Sequence, residues 1–106
     1  MDVLGSPVRS RVLMYLAVAE ESYPAEIAAT LNIPKLTVQR ILRDLENLGV
    51  VGSRLRGRVR LVSLDPTWYA AAELRALLER MASVDERVLA AASAVRRRPR
   101  RAGKPL

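Results

Sequence analysis

Arginine occupies every second position over one short stretch of this chain, and arginine is the side chain best suited to holding phosphate oxygens. The four positions are Arg54, Arg56, Arg58 and Arg60. A guanidinium group is planar, stays charged and donates paired hydrogen bonds to a phosphate or carboxylate. Four like charges on one small ribbon repel one another unless an anion neutralises them, so the pattern favours a polyanion partner over a merely charged sheet edge. Because these arginines alternate with apolar residues, we expect their side chains to lie mostly on the side away from the core.

The net charge of the chain supports a polyanion-facing surface. The 106 residues carry 18 Lys and Arg against 11 Asp and Glu, a formal charge of +7. Residues 96–106 hold six of those cations and no acid, which leaves twelve cations and eleven acids in residues 1–95. Within that body the basic charge is concentrated between residues 35 and 60. The tail strengthens binding to any polyanion without reading its sequence, and a solvated disordered end explains it equally well.

Residue types that most catalytic and metal sites require are missing. The chain has no Cys and no His, which excludes disulfides, thiolate or imidazole ligands and His general bases. The stretch 52–57 resembles the nucleotide loop of minimal nucleotidyltransferases, but that chemistry needs paired carboxylates downstream and only Asp65 follows. We therefore expect no enzymatic activity, no cofactor and no metal. No apolar run approaches the ~20 residues of a membrane span and no signal-peptide pattern opens the chain, so a cytoplasmic location follows by elimination.

The spacing of apolar and turn residues predicts the elements that position these arginines. Ser6 and Pro7 are typical of a helix start, and Asn32 suits the left-handed conformation that ends a helix. Ser83 and Glu86 fit a capping box for a last helix, although one continuous helix from Trp68 is the alternative. The predicted order is a helix to about residue 19, a short helix from residue 24, a third helix over 34–48, a β-hairpin over 50–64, and helical structure over 68–81 and 84–95. This order indicates an α+β fold, a winged helix-turn-helix with additional C-terminal helices.

The segment 24–43 resembles the bacterial helix-turn-helix motif. That motif has a small residue in its first helix, a turn residue four positions later and apolar anchors beyond. These positions are here Ala28, Asn32, Val38 and Ile41. The small residue lets the two helices approach, the anchors hold the second helix against the first, and the outer face of the second helix then projects from the domain.

Residues 5–64 as a whole resemble winged-helix regulators of the arsenical-repressor (ArsR-like) superfamily. The continuation through residues 64–66 and 73–78 resembles a subgroup in which the domain stands alone or precedes a minimal nucleotidyltransferase. The resemblance implies a DNA-binding transcriptional regulator. Metal-sensing members carry cysteines in the second helix, where this chain has Ala28, Ala29 and Thr30, so metal sensing at that site is excluded. The matching segments are Ser6-Pro7-Val8-Arg9, Glu26-Ile27-Ala28, Leu36-Thr37-Val38-Gln39-Arg40, Leu45-Glu46-Asn47-Leu48-Gly49-Val50-Val51 and the wing over 54–64.

The outer face of the third helix is the predicted base-reading surface. Recognition helices read bases with their N-terminal half, where Arg40 suits guanine and Gln39 suits adenine. Leu36 or Thr37 suits a thymine methyl group, and Arg43 suits phosphate. The alternative is an ordinary solvated helix face. The predicted DNA-binding residues are Lys35, Leu36, Thr37, Gln39, Arg40 and Arg43 of the helix and Arg54, Arg56, Arg58 and Arg60 of the hairpin.

The predicted organisation has three parts: a winged helix-turn-helix domain over 1–66, a helical dimerisation segment over 67–95 and a basic disordered tail over 96–106. A second apolar side of the first helix (Leu13, Met14, Ala17) and apolar C-terminal helices favour a homodimer that binds palindromic double-stranded DNA. The alternative is a monomer whose terminal helices cover its own domain. Two other functions stay open, an adaptor module for a protein partner and a non-specific nucleic-acid binder led by the tail. The sequence identifies no effector.

Overall fold

Five helices and one pair of antiparallel strands make up the part of the chain that the computed structural model describes, residues 5–97. The elements are α1 (Pro7–Ala19), α2 (Pro24–Leu31), α3 (Lys35–Asn47), β1 (Val51–Arg56), β2 (Val59–Leu64), α4 (Ala71–Ala82) and α5 (Glu86–Arg97). This is the winged helix-turn-helix α+β fold with two further helices, as predicted. Of the predicted tail, only Arg96 and Arg97 are described, as the end of α5. The rest of the tail lies outside the described residues.

Local chemistry sets the start of α1 and the turn between α2 and α3. The Ser6 side chain accepts a hydrogen bond from the backbone N–H of Arg9 at 3.0 Å, and Pro7 occupies the first turn. Asn32 has φ 57° and ψ 51°, the left-handed conformation predicted for it. Pro34 precedes the first helical residue of α3. Ile27, Leu31, Val38, Leu42 and Leu45 are buried between these helices and fix their crossing.

The register of the hairpin follows from its two-residue turn. Gly57 has φ 65°, and β1 pairs with β2 so that Arg54 faces Leu61 and Leu55 faces Arg60. The core side of the ribbon is occupied at its base by Val51, Val62 and Leu64, all buried. Ser22, which precedes α2, exchanges two backbone hydrogen bonds with Val62, of 2.7 and 3.0 Å. These bonds anchor β2 to the connection before α2.

This register makes the predicted one-sided arrangement of arginines wrong. Residues that face each other across a two-residue turn have position numbers whose sum is odd. Even-numbered residues on β1 therefore share a face with odd-numbered residues on β2. Arg54 and Arg56 lie on the outer face, whereas Arg60 extends the face that carries Val62 and Leu64.

The C-terminal region forms two helices, with Asp85 rather than Ser83 as the cap of the second. The Asp85 carboxylate accepts a hydrogen bond from the backbone N–H of Val88 at 3.0 Å. Ser83 still has helical dihedral angles at the end of α4, and its hydroxyl donates to the carbonyl of Arg80 at 2.7 Å. A capping residue needs extended backbone, so Ser83 is excluded from that role and the predicted capping box is wrong. Residues 66–70 form turns, and α4 begins at Ala71 instead of residue 68.

The core is centred on α1. Six consecutive residues of this helix, Val12 to Ala17, are buried. α4 packs against α1, and α5 packs against both α1 and α2. Leu13, Met14 and Ala17, predicted to be a spare apolar side, are therefore covered within the monomer. Within residues 5–97, no helix is both long enough and apolar enough to span a membrane.

Candidate nucleic-acid interface

The outer face of α3 presents three cations to solvent. Lys35, Arg40 and Arg43 are exposed, and none of them forms an ion pair with another described residue. Their positions follow from the packing of α3, since Val38, Leu42 and Leu45 turn one side of the helix into the core. Lys35 also stands in the first turn, where the unpaired backbone N–H groups of the helix add positive potential. The first half of this face is therefore positively charged and accessible.

Less polar side chains lie beside these cations. Leu36 is 74% exposed in the first turn, an apolar contact point next to Lys35. Thr37 and Gln39 are half-buried on the flanks of the same face. The six predicted residues of α3 thus lie together on one accessible surface.

The four wing arginines form two groups, two at the tip of the hairpin and two closer to the domain. Arg56 is the last residue of β1 and Arg58 is the second residue of the turn at the tip. Both are exposed and form no ion pair within residues 5–97. Leu55, between them and the base, is 73% exposed. The tip is therefore a small cationic ribbon with an apolar side chain, free to meet an anion.

Arg54, at the base of the wing, is paired with Glu21 in the connection between α1 and α2. Arg54 Nε and Nη2 donate to the two carboxylate oxygens of Glu21 at 3.1 and 3.2 Å. Both side chains remain partly exposed to solvent. This fork-on-fork pair joins the outer face of the ribbon to the loop before α2.

Arg60 is paired with Glu46 on the other face. Arg60 Nη2 donates to both carboxylate oxygens of Glu46, at 2.9 and 3.0 Å, and Arg60 Nε donates to the hydroxyl of Ser53 at 3.1 Å. Ser53 in turn donates to Glu46 at 2.6 Å. Partial burial by itself raises the pKa of Glu46, but the hydrogen bonds from Ser53 and Arg60 and the charge of Arg60 outweigh it, and the pKa lies below 4.5. Glu46 is therefore ionised and neutralises Arg60.

Sequence reasoning missed both carboxylates. Glu46 lies within the basic stretch 35–60, 14 positions before its partner, and Glu21 stands 33 positions before its partner. The position of Gly49 could have indicated that Glu46 lies near the wing. This glycine follows α3 and turns β1 back alongside the helix that carries Glu46. No comparable signal connects Glu21 with Arg54.

Asp65, the carboxylate after the stretch that resembles a nucleotide loop, is used locally. It accepts hydrogen bonds from the backbone N–H of Thr67 at 2.9 Å and from the Thr67 hydroxyl at 2.7 Å. These two bonds lower the pKa of Asp65, which is the behaviour of a turn cap. Among the described residues no group of three or more Asp, Glu, His or Cys side chains is placed to hold a metal ion.

Comparison with known proteins gives a family match and a solved structure of similar fold. The sequence model of the MarR family matches residues 6–58, from the cap of α1 to the wing turn. A mutant of ZitR from Lactococcus lactis has a similar solved structure, with 24% sequence identity and a TM-score of 0.63. The match covers 90% of this chain and 62% of the ZitR chain, so this chain spans less than two thirds of that length. A search of curated proteins found no match. These findings support a winged-helix protein and give no support to the narrower ArsR-like resemblance.

Proposed function

The chain belongs to the MarR family, and on that premise we propose that it is a transcriptional regulator that binds double-stranded DNA in a sequence-specific manner. MarR-family regulators bind DNA. One observation carries the proposal: the exposed, ion-pair-free cations of the α3 face project beside a wing whose tip arginines are also unpaired. In this arrangement α3 lies in the major groove and the wing follows the adjacent phosphates.

Base reading belongs to the first half of α3. Arg40 is assigned to guanine, Gln39 to adenine, and Leu36 with Thr37 to the methyl group of thymine. The 74% exposure of Leu36 supports this assignment, because an apolar side chain gains from burial against a base edge. A well-made bidentate contact to a base contributes about 1–3 kcal/mol of discrimination.

Phosphate binding belongs to the cations at the edges of this surface. Lys35 and Arg43 bracket the base-reading residues, and Arg56 with Arg58 extends the cationic surface to the wing tip. Arg54 and Arg60 lie nearby, but each is neutralised by a carboxylate and adds no net positive charge. Each phosphate contact releases a counterion, so affinity should fall steeply with salt.

The protein is proposed to act as a homodimer through residues 67–95. MarR-family regulators are often dimers. In this chain, apolar side chains remain exposed on the C-terminal region after α4 and α5 have covered α1: Tyr69, Leu77, Val84 and Leu89. A two-fold dimer would present two copies of α3 to successive major grooves, roughly 34–36 Å apart.

Selection of bound duplexes from a random pool tests the function. We expect enrichment of an inverted repeat, since two symmetry-related α3 helices read two half-sites. The matched control is a variant lacking residues 98–106, which keeps α5 complete and removes the remaining basic residues of the tail. If that variant loses all binding and the full chain enriches no sequence, the protein is a non-specific nucleic-acid binder. If the full chain is not retained on any duplex but copurifies with a protein partner, it is an adaptor module.

A further inference from the structure

One cluster at the candidate interface does not fit a simple DNA-contacting role. Glu46 on α3, Ser53 on β1 and Arg60 on β2 form a closed set of hydrogen bonds between three elements. Glu46 places a negative charge on the helix proposed to approach a polyanion. Such a charge opposes binding unless it performs another task.

Two of the three guanidinium nitrogens of Arg60 donate hydrogen bonds within this cluster. Nη2 bridges both oxygens of Glu46, and Nε donates to Ser53. To bind a phosphate in the same way, the guanidinium would have to give up the carboxylate that now neutralises it. The lowered pKa of Glu46 supports the same conclusion, because the carboxylate stays ionised throughout the neutral range.

The wing needs such a restraint because it is a two-stranded ribbon without cover near its tip. From Ser53 to Arg60 every residue is exposed, and the buried residues of the ribbon are confined to its base. A lone hairpin is marginally stable and bends easily. The angle at which the tip leaves the domain therefore depends on the side-chain links at the base.

We propose that Glu46 is a positioning residue that, through Ser53 and Arg60, fixes the direction of the wing relative to α3. The inference rests on the proposed function for its meaning and divides the four wing arginines by role. Arg56 and Arg58 contact phosphate. Arg60 ties the core-side face of the ribbon to α3, and Arg54 ties the outer face to Glu21.

Removing Glu46 tests the proposal, because electrostatics alone and positioning predict opposite results. Deleting a negative charge near DNA raises affinity if the charge has no other role. If Glu46 directs the wing, Glu46→Ala lowers affinity instead, by roughly two- to 140-fold, the range of coupling between contacting residues. Asp44→Ala is the matched control, since Asp44 is an exposed acid on the same helix with no ion pair among the described residues. We expect Asp44→Ala to leave affinity unchanged or to raise it. Glu46→Ala behaving like Asp44→Ala would overturn the proposal.

The salt dependence of binding is a second measurement, because it changes when a phosphate contact is lost and not when the wing is only misdirected. Arg56→Ala should reduce the slope of log affinity against log salt by about 0.9, the loss of one phosphate contact. Arg60→Ala should lower affinity and leave that slope unchanged. A slope reduced equally by both variants would make Arg60 a phosphate contact and contradict the assignment.

A measurement without DNA separates this inference from the proposed function. The chain has no cysteine, so Ala29→Cys on α2 and Val59→Cys on the wing introduce two unique sites for spin labels. With labelled chains diluted in unlabelled chains, we expect one narrow intramolecular distance distribution in the parent and a broad one after Glu46→Ala, with Asp44→Ala unchanged. If the parent binds no duplex, the proposed function fails, but the distance distribution still shows whether Glu46 restrains the wing. An equally narrow distribution after Glu46→Ala would exclude it.

Discussion

The arginines at the candidate interface differ in whether a carboxylate of the same chain neutralises them. Arg40, Arg56 and Arg58 have no carboxylate partner among the described residues, whereas Arg54 and Arg60 are held by Glu21 and Glu46. The residue types on this surface could be predicted from sequence. Their partners could not, because the contacts join positions 33 and 14 apart that only the folded chain brings together.

At Arg40 we predict a loss of base preference rather than a uniform loss of affinity. Arg40→Ala removes a bidentate contact to one base, which lowers discrimination at that base pair by about 1–3 kcal/mol. Arg43→Ala, one turn further along α3, removes a phosphate contact and should weaken all duplexes alike. Titration of the selected site and its single-base variants measures both effects. Equal losses on every duplex for Arg40→Ala would contradict its assignment to a base.

At Glu46 we predict that stability depends on pH in the acidic range. The pKa of Glu46 in the folded protein lies below its ordinary value of 4.5, so folding favours the ionised form. The stabilisation is complete above the unfolded pKa and is lost as pH falls through the folded pKa. The free energy of unfolding should therefore exceed that of Glu46→Gln by a constant amount at neutral pH, and the excess should shrink below about pH 4.5. Urea unfolding at several pH values checks this, and an excess independent of pH down to pH 3 would rule out the mechanism.

At the scale of elements, helix ends that depend on local chemistry could be predicted from sequence. The faces on which the wing arginines lie, and the residue that caps α5, could not. Ser6, Pro7 and Asn32 act through their own backbone or nearby N–H groups, so the ends of α1 and α2 could be predicted from sequence. Alternation within one strand does not show which residues of its partner share a face. That depends on the turn, and the arginines of the wing consequently lie on both faces.

The start of α5 gives an element-scale prediction that separates the two candidate caps. Asp85→Ala removes the hydrogen bond to the backbone N–H of Val88 and also the ion pair with Arg11, 3.5 Å away. We expect it to lower the free energy of unfolding by about 0.5–2 kcal/mol. Ser83→Ala should stay within about 0.5 kcal/mol of the parent, since the Ser83 hydroxyl, which the substitution removes, bonds to the carbonyl of Arg80 and not to an N–H group of α5. Denaturant unfolding measures both, and a larger loss for Ser83→Ala would return the cap to Ser83.

At the scale of the whole molecule, the C-terminal helices pack against α1 of their own chain. They bury the side of α1 that carries Leu13, Met14 and Ala17, so that side is unavailable to a second chain. Sequence reasoning counted these residues as surplus because a single helix wheel does not show how many neighbours will pack around it. What remains for a subunit contact is the exposed apolar surface of α4, α5 and their flanking turns.

This surface gives the last prediction, on assembly. Leu77 on α4 and Leu89 on α5 are 44% and 45% exposed, and their burial against a second copy would stabilise a dimer by the hydrophobic effect. We expect the 11.7 kDa chain to sediment as a dimer and the double variant Leu77→Asp, Leu89→Asp to sediment as a monomer. The variant should also bind an inverted repeat no more tightly than a single half-site, because the two α3 helices are no longer linked. Leu48→Asp is the control, since Leu48 is 60% exposed but lies after α3, outside residues 67–95, and should leave the dimer intact. A parent chain that stays monomeric at high micromolar concentration would assign α4 and α5 to covering α1 alone.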